Sequence, residues 1–179
     1  MLKMGSSWLA VVLVGSLAGC ATTSTKSADV SSQIRTSLDQ AGFKDVSASQ
    51  DRDQGVITLG GHVAADSDKA QAESIARSIA GAQVVANQIA VIPPGAETEA
   101  EKVNSDLDKG IKNNLDAALI RDRLHENVKY AVKNHVVTPT GEVDSQSKRA
   151  RAGEVASAVL NVYQVVNELQ VKGQKASSN

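Results

Sequence analysis

Apolar residues along this chain follow two alternating rhythms, one of period near 3.6 and one of period 2. Val30, Ile34 and Leu38 recur at i, i+4 and i+8, which predicts a helix between a capping Asp29 and a stopping Gly42. A weak strand over 46–50 is apolar on alternate positions, and 51–55 is a turn by composition. A strand over 56–63 follows, with Ile57, Leu59, Gly61 and Val63 on one face. Asp66 is placed to cap a second helix, striped by Ala72, Ile75, Ala76 and Ile79 and ended by Gly81. Residues 84–91 read as a third strand. Pro93-Pro94-Gly95 and the acidic stretch 96–101 interrupt the pattern.

The pattern then begins again. Leu107, Ile111, Leu115 and Ala118/Leu119 form a helical ridge, and Val128, Tyr130 and Val132 alternate as a strand. Asn134-His135 is a turn. Strand 136–143, a helix carrying Ala152, Val155, Ala156 and Val159, and strand 164–171 complete the second set. Shifted by 80 without a gap, residues 55–91 match 135–171 at Val56/Val136, Thr58/Thr138, Gly61/Gly141, Ala76/Ala156, Asn87/Asn167 and Val91/Val171, among others. An offset held across strand, helix and strand means duplication of a folded unit. Asn161 stands where Gly81 does, and asparagine is the next-best residue for a left-handed helix stop. Within each unit the second and third strands are joined through a helix and should run parallel, while the first pair forms an antiparallel hairpin. The expectation is an α+β fold of two tandem αββαβ units, each a three-stranded mixed sheet with helices packed on one face.

The ends add an address. Residues 1–19 open with a positive Met1-Leu-Lys3, continue through an apolar run from Trp8 to Leu17, and close on small residues, which is the order of a secretory signal. The run is about half the ~20 residues a bilayer span needs. Leu17-Ala18-Gly19-Cys20 resembles the bacterial lipobox, and that resemblance implies lipidation of Cys20, the chain's one cysteine. Ala21 after it implies the outer membrane, on its periplasmic side. Residues 20–28 read as a flexible tether, 29–92 as the first unit, 93–102 as a linker, 103–172 as the second unit and 173–179 as a loose tail. The mature chain has no internal disulfide, and about 160 residues permit one ordinary core or two small ones.

Gly55-Val-Ile-Thr-Leu-Gly-Gly61-His-Val63, the Ala72/Ile75/Ala76/Ile79 helix and Val84-Val-Ala-Asn87-Gln-Ile89-Ala-Val91, each seen twice, resemble the BON domain. Gly61, Gly141, Asn87 and Asn167 are its structural marks here. The second copy departs from the pattern, with His135 for the turn glycine and Pro139 for Leu59; a proline in a strand belongs at an edge or bulge. The resemblance implies a non-enzymatic protein of the periplasm or outer membrane, linked to phospholipid binding and to envelope or osmotic-stress integrity.

Candidate chemistry changes the picture little. His62, His125 and His135 are scattered, so no metal site is expected, and Gly60-Gly61 lacks the Lys-Ser/Thr of a phosphate loop, so no cofactor is implied. Close packing of helix on strand accounts for Gly61 and Gly141. The net charge of −1 gives no steering toward nucleic acid. Its distribution says more. Residues 28–92 carry five bases against eight acids, and 103–172 carry ten against nine. Lys109, Lys112, Lys129, Lys133, Lys148, Arg149 and Arg151 are therefore the candidates for contact with anionic phospholipid headgroups, and no wedge for deep insertion accompanies them. The alternative is a tethered adaptor that docks an envelope protein partner for an outer-membrane or cell-wall assembly.

Overall fold

The pattern is realised twice in a computed structural model that describes residues 26–172. The expected leader, Cys20 and its lipid, residues 20–25 of the tether and the tail 173–179 lie outside the described residues. In the first unit, α1 (Ser31–Gln40) buries Ile34 and Leu38 completely. Asp29 sits one residue outside the N-cap, which is Val30, and its carboxylate accepts from the Ser31 amide and hydroxyl. The helix closes by donation from Phe43 N–H to the Leu38 carbonyl (2.9 Å) and from Gly42 N–H to that of Asp39 (3.1 Å), with Gly42 at φ +93°.

Strand β1 (Val46–Asp51) pairs antiparallel with β2 (Val56–Val63), from Val46 opposite Gly61 to Asp51 opposite Val56. Helix α2 (Asp66–Ala80) then returns the chain. Its N-cap is Ala65, so Asp66 is the first helical residue and supplies favourable charge to the helix start instead of a cap. The packed face is Ala72, Ala76 and Ala80, with Ile75 and Ile79 half-buried beside it. Small side chains let the helix lie close on the sheet. Residues 26–28, expected in the tether, are bonded to the hairpin: Ser27 N–H donates to the Arg52 carbonyl (2.9 Å) and Gln50 Nε2 to that of Ala28 (2.7 Å).

The third strand is not continuous. It consists of β3 (Val84–Asn87) and β4 (Ala90–Val91), both parallel to β2 but separated by Gln88-Ile89. Asn87 causes the break, since its Oδ1 accepts from the Ile89 N–H two residues on (3.3 Å), an alternative to the ladder that asparagine offers readily.

The second unit begins earlier than the acidic composition of 96–101 suggests. Helix α3 (Glu97–Arg121) runs for 25 residues, and Glu97 and Glu99 in its first turn favour the helix they open. It ends as α1 does, with Arg123 at φ +57° in the role of Gly42 and Leu124 N–H donating to the Leu119 carbonyl (2.9 Å). Strands β5 (Lys129–Lys133) and β6 (Val136–Thr140) form a two-residue hairpin, with Asn134 at φ +47° and His135 at φ +67°, a type I′ geometry. Strand β7 (Glu142–Val143), helix α4 (Gln146–Ser157) capped by Ser145, and strands β8 (Gln164–Val165) and β9 (Gln170–Val171) follow.

Pro139 lies neither at an edge nor in a bulge. It is buried in β6, the middle strand of the order β5-β6-β8. Its carbonyl accepts from Glu168 N–H (3.0 Å), so its nitrogen also faces the β8 side, where it has no proton to give. The parallel ladder is accordingly two residues long, Val136/Gln164 and Val137/Val165, where its counterpart in the first unit has four.

Each sheet packs its helices on one face over its own apolar core. A third cluster joins the units: Val56, Ala86, Val136 and Val166, from the faces turned away from the helices. These are two offset pairs, Val56/Val136 and Ala86/Val166, so the units meet through equivalent surfaces.

Candidate functional site: the seam between the units

The third strands lie along that seam as sheet edges. In β3 the Val85 carbonyl and the Asn87 N–H point away from β2, and both are met by one side chain of the other unit. Gln164 Nε2 donates to Val85 O (2.7 Å), and Gln164 Oε1 accepts from Asn87 N–H (3.0 Å). The amide makes the bonds a neighbouring strand would make, so this edge is closed. Asn134 Nδ2 donates across the seam to the Gln88 carbonyl (2.7 Å).

A polar network follows. Glu73 of α2 is buried; its Oε2 accepts from Asn87 Nδ2 (2.8 Å) and from the Tyr163 hydroxyl of the second unit (3.3 Å), and Arg77 pairs with its other oxygen. Lys69 lies on the Tyr163 ring, 4.7 Å from the centroid. Burial lowers the Lys69 pKa against the opposing pull of Asp66 and Glu73. Burial also raises the Tyr163 phenol, with the Glu73 charge adding to it. Glu168 is raised by burial first and then by Asp51 of the first unit.

Two connected hollows open beside the network. One, of about 320 Å³, is lined by Lys69, Asn104, Asn134, His135 and Tyr163, with Asp66 at its rim. The other, of about 480 Å³, shares Ala90, Asn104 and Asn134 and adds His62, Lys109, Lys112 and Lys133, with Glu101 and Asp108 among them. Asp108 is committed to the hairpin, since its two oxygens accept from the Asn134 and His135 amides (both 2.9 Å).

The seven basic candidates therefore divide. Lys109, Lys112 and Lys133 converge on one groove, Lys109 pairing there with Asp106 (3.0 Å), and Lys129 is exposed on the same face of β5 as Lys133. Lys148 is paired with Asp144 (2.7 Å). Arg149 is half-buried and donates to the carbonyls of Leu169 (2.7 Å) and Asn167 (3.0 Å). Arg151 holds Asp122 (2.6 Å) and Glu154 (3.3 Å). Arg151 also keeps the Asp122 carboxyl below the ordinary range.

The glycine and asparagine marks have structural duties, and the glycine duty is not the expected one. A Cβ on Gly61 (φ +91°) would land on the backbone carbonyl of Asp45, and one on Gly141 (φ +117°) would approach the Asn127 carbonyl to 2.6 Å. The close approach is to the neighbouring strand's entry, not to a helix. Asn87 and Asn167 tie the strand break to the helix behind it, through Lys69 O (3.3 Å) and Arg149 O (2.8 Å) respectively. Gln164, Tyr163, Lys69 and the His135 side chain carry no motif; what distinguishes Gln164, Tyr163 and His135 in the sequence is that the 80-residue offset fails there, whereas Lys69 is matched by Arg149.

The family follows from the repeat. Residues 26–93 and 105–173 each match the BON domain. The chain belongs to the BON domain family. Over 146 residues this BON protein is 28% identical to osmotically-inducible protein Y of Escherichia coli strain K12, covering 80% of this chain and 71% of that one. Two solved structures of CdsD, a structural protein of the type III secretion system of Chlamydia trachomatis, are similar at 13% identity. One has a TM-score of 0.35 over 80% of this chain and 92% of its own, the other 0.34 over 82% and 99%. At those scores the likeness supports no statement about this chain. Among the described residues no group of three His, Cys, Asp or Glu side chains is placed to hold a metal ion, and no helix is long and apolar enough to cross a membrane. The seam gathers hydrogen-bond donors and lysines together with the carboxylates of Asp66, Glu73, Glu101 and Asp108.

Proposed function

We propose that this BON protein is a non-enzymatic envelope component, anchored through lipid on Cys20 at the periplasmic face of the outer membrane, whose second unit touches anionic phospholipid headgroups peripherally. The observation that carries the reading is the convergence of Lys109, Lys112 and Lys133 on one groove, with Lys129 on the same strand face. The similarity to an osmotically-inducible protein supports a role in envelope integrity or osmotic-stress tolerance. Each basic residue near an anionic surface contributes about 1 kcal/mol, screened by salt, and Glu101 and Asp108 in the same groove subtract from the sum. Arg149 is engaged within the fold, and Lys148 and Arg151, exposed in ion pairs as Lys109 is with Asp106, lie outside this groove and take no part in this reading.

Flotation of the mature chain carrying Cys20→Ser with phosphatidylglycerol vesicles across a salt series tests this. Binding should weaken at least tenfold when Lys109, Lys112, Lys129 and Lys133 become Gln, and should be unchanged by Lys148→Gln. Undiminished flotation of the fourfold variant refutes the assignment. Arg149→Ala is expected to cost about 1–3 kcal/mol of stability through its two orphaned carbonyls, so its effect on flotation would report folding. The adaptor reading, with an envelope protein docking on a sheet edge, is weakened at two of the edges: Gln164 closes β3, and Lys129 and Lys133 charge β5. Specific capture of an envelope protein with no vesicle binding at any salt would favour it.

A further inference from the structure

The strand edges on the two sides of the seam are closed unequally. Val166 and Glu168 donate their amides inward to the Val137 and Pro139 carbonyls (2.9 and 3.0 Å), so the Val165 carbonyl and the Asn167 N–H point outward. These are the counterparts of Val85 O and Asn87 N–H, which Gln164 closes. No hydrogen bond among the described residues engages the second pair. The repeat position of Gln164 holds Val84 in the first unit, and a valine side chain can neither donate nor accept. Val165 and Asn167 are both partly exposed, and Val84 keeps 49% of its surface in water. Farther along the same edge Arg149 caps the Asn167 and Leu169 carbonyls, so the opening admits a single residue of a neighbouring strand.

Uncompensated charge gathers at the same place. Glu168 follows Val166 on the seam face of its sheet, and Asp51 lies opposite Val56 on that of the other unit. Val56 and Val166 belong to one seam cluster, so the two carboxylates face each other across it. The Asp51 charge adds to the burial that already disfavours a charged Glu168. Among the described residues neither carboxylate has a basic partner: Arg52 is turned to the Ser27 carbonyl (2.8 Å), and Lys26 pairs with Asp53. A charge kept only to discourage strand pairing would stand in open water on the edge. One half-buried beside a second carboxylate costs stability until a cation joins it. We propose that the β8 edge is a docking site for an extended, basic peptide segment of a partner protein. The segment runs parallel to β8, and one of its residues exchanges both bonds with Val165 O and Asn167 N–H. Side chains on one face, two residues apart, then reach Val84 and the Asp51/Glu168 pair, the first apolar and the second lysine or arginine. This adds a protein partner to the headgroup reading and uses none of the groove lysines.

The test titrates the isotopically labelled mature chain carrying Cys20→Ser, followed by NMR. The probes are blocked hexapeptides in which threonine alternates with valine and one lysine, and the same peptides with glutamate for the lysine or proline for the threonines. Saturable displacement of the Asn167 amide and Glu168 side-chain resonances is expected with the lysine peptides alone. Val84→Gln should close the edge as Gln164 closes the other, protecting the Asn167 amide from deuterium exchange and weakening peptide binding about tenfold. Glu168→Gln relieves the acid pair, so it should be more stable at neutral pH and yet bind about tenfold more weakly, a combination that unfolding does not produce. Absence of saturable displacement, equal binding of the glutamate peptides, or parental affinity in a folded Val84→Gln overturns the proposal. Protection of the Asn167 amide in the parent chain also overturns it: if lost on dilution, a second copy fills the edge, and if lost on ending the chain at Lys172, its own tail does.

Discussion

Asn87 and Asn167 occupy the same position of the repeat, yet their removal should cost different amounts. Asn87 is wholly buried and makes three bonds: Nδ2 to the Glu73 carboxylate (2.8 Å), Nδ2 to the Lys69 carbonyl (3.3 Å), and Oδ1 from the Ile89 amide (3.3 Å). Asn167 keeps only the two backbone bonds, to the Arg149 carbonyl (2.8 Å) and from the Leu169 amide (3.2 Å). No carboxylate stands beside it, because Gly153 occupies the place of Glu73. A neutral buried bond contributes about 1 kcal/mol and one to a charged group about 1.5–3 kcal/mol. Asn87→Ala should therefore cost about 4 kcal/mol and Asn167→Ala about 2 kcal/mol. With a urea slope of about 2 kcal/mol per molar, the midpoints fall by roughly 2 M and 1 M. Arg77 and the Tyr163 hydroxyl stay on Glu73 and limit the first loss. Urea unfolding of both variants, followed by circular dichroism, decides the matter. If Asn167→Ala loses as much as Asn87→Ala, the buried carboxylate is not what sets the difference.

Two other outcomes follow from particular atoms. Gly42→Ala meets nothing within 4 Å and should cost only its positive φ, about 1–2 kcal/mol, whereas Gly61→Ala drives a Cβ into the Asp45 carbonyl and should lose more than about 3 kcal/mol. Thermal melts giving equal losses would refute the strand-approach account of Gly61. Glu168, raised by burial and by Asp51, makes the folded state hold its proton more tightly than the unfolded chain does. Its charged form thus destabilises, an effect absent below the unfolded carboxyl range near 4 and full above the folded value. Glu168→Gln should raise the urea midpoint at pH 7 and match the parent below about pH 4; a gain independent of pH would contradict this.

The sequence made the repeat legible because identical residues at a fixed offset build identical local structure. The bounds of β2, the helix stops at Gly42 and Gly81, and the hairpin at Asn134-His135 could all be read from it, whereas α4 ends at Ser157, ahead of Val159 and of Asn161, which keeps the left-handed conformation (φ +68°) in the turn beyond the helix. Other features escaped, each for its own reason. The early start of α3 was hidden by acidic composition, which reads as linker although Glu97 and Glu99 favour a helix N-terminus. The split third strand was hidden because Val84, Val85, Ile89 and Val91 look continuous, and only the direction of the Asn87 side chain interrupts them. Of the basic run at 148–151, Lys148 and Arg151 are at the surface, but Arg149 turns inward onto two carbonyls, which charge alone does not reveal.

The seam shows how a duplicated unit acquires something neither copy has. The apolar contact between the units uses equivalent residues, Val56 with Val136 and Ala86 with Val166, as an association of two like copies would. Several of the polar contacts use residues at which the copies differ. Gln164 stands opposite Val84 in the repeat, Tyr163 opposite Gln83, Glu73 opposite Gly153 and His135 opposite Gly55. Lys69 and Arg149 share a position and a charge, yet Arg149 folds onto its own unit while Lys69 reaches across to Tyr163. A symmetric seam would present the same groups twice, with two half-closed edges. Here one edge is sealed by Gln164, and the three groove lysines, Lys109, Lys112 and Lys133, all come from the second unit. Matching positions along the offset thus account for the two cores, and the mismatched ones for several of the polar contacts between them.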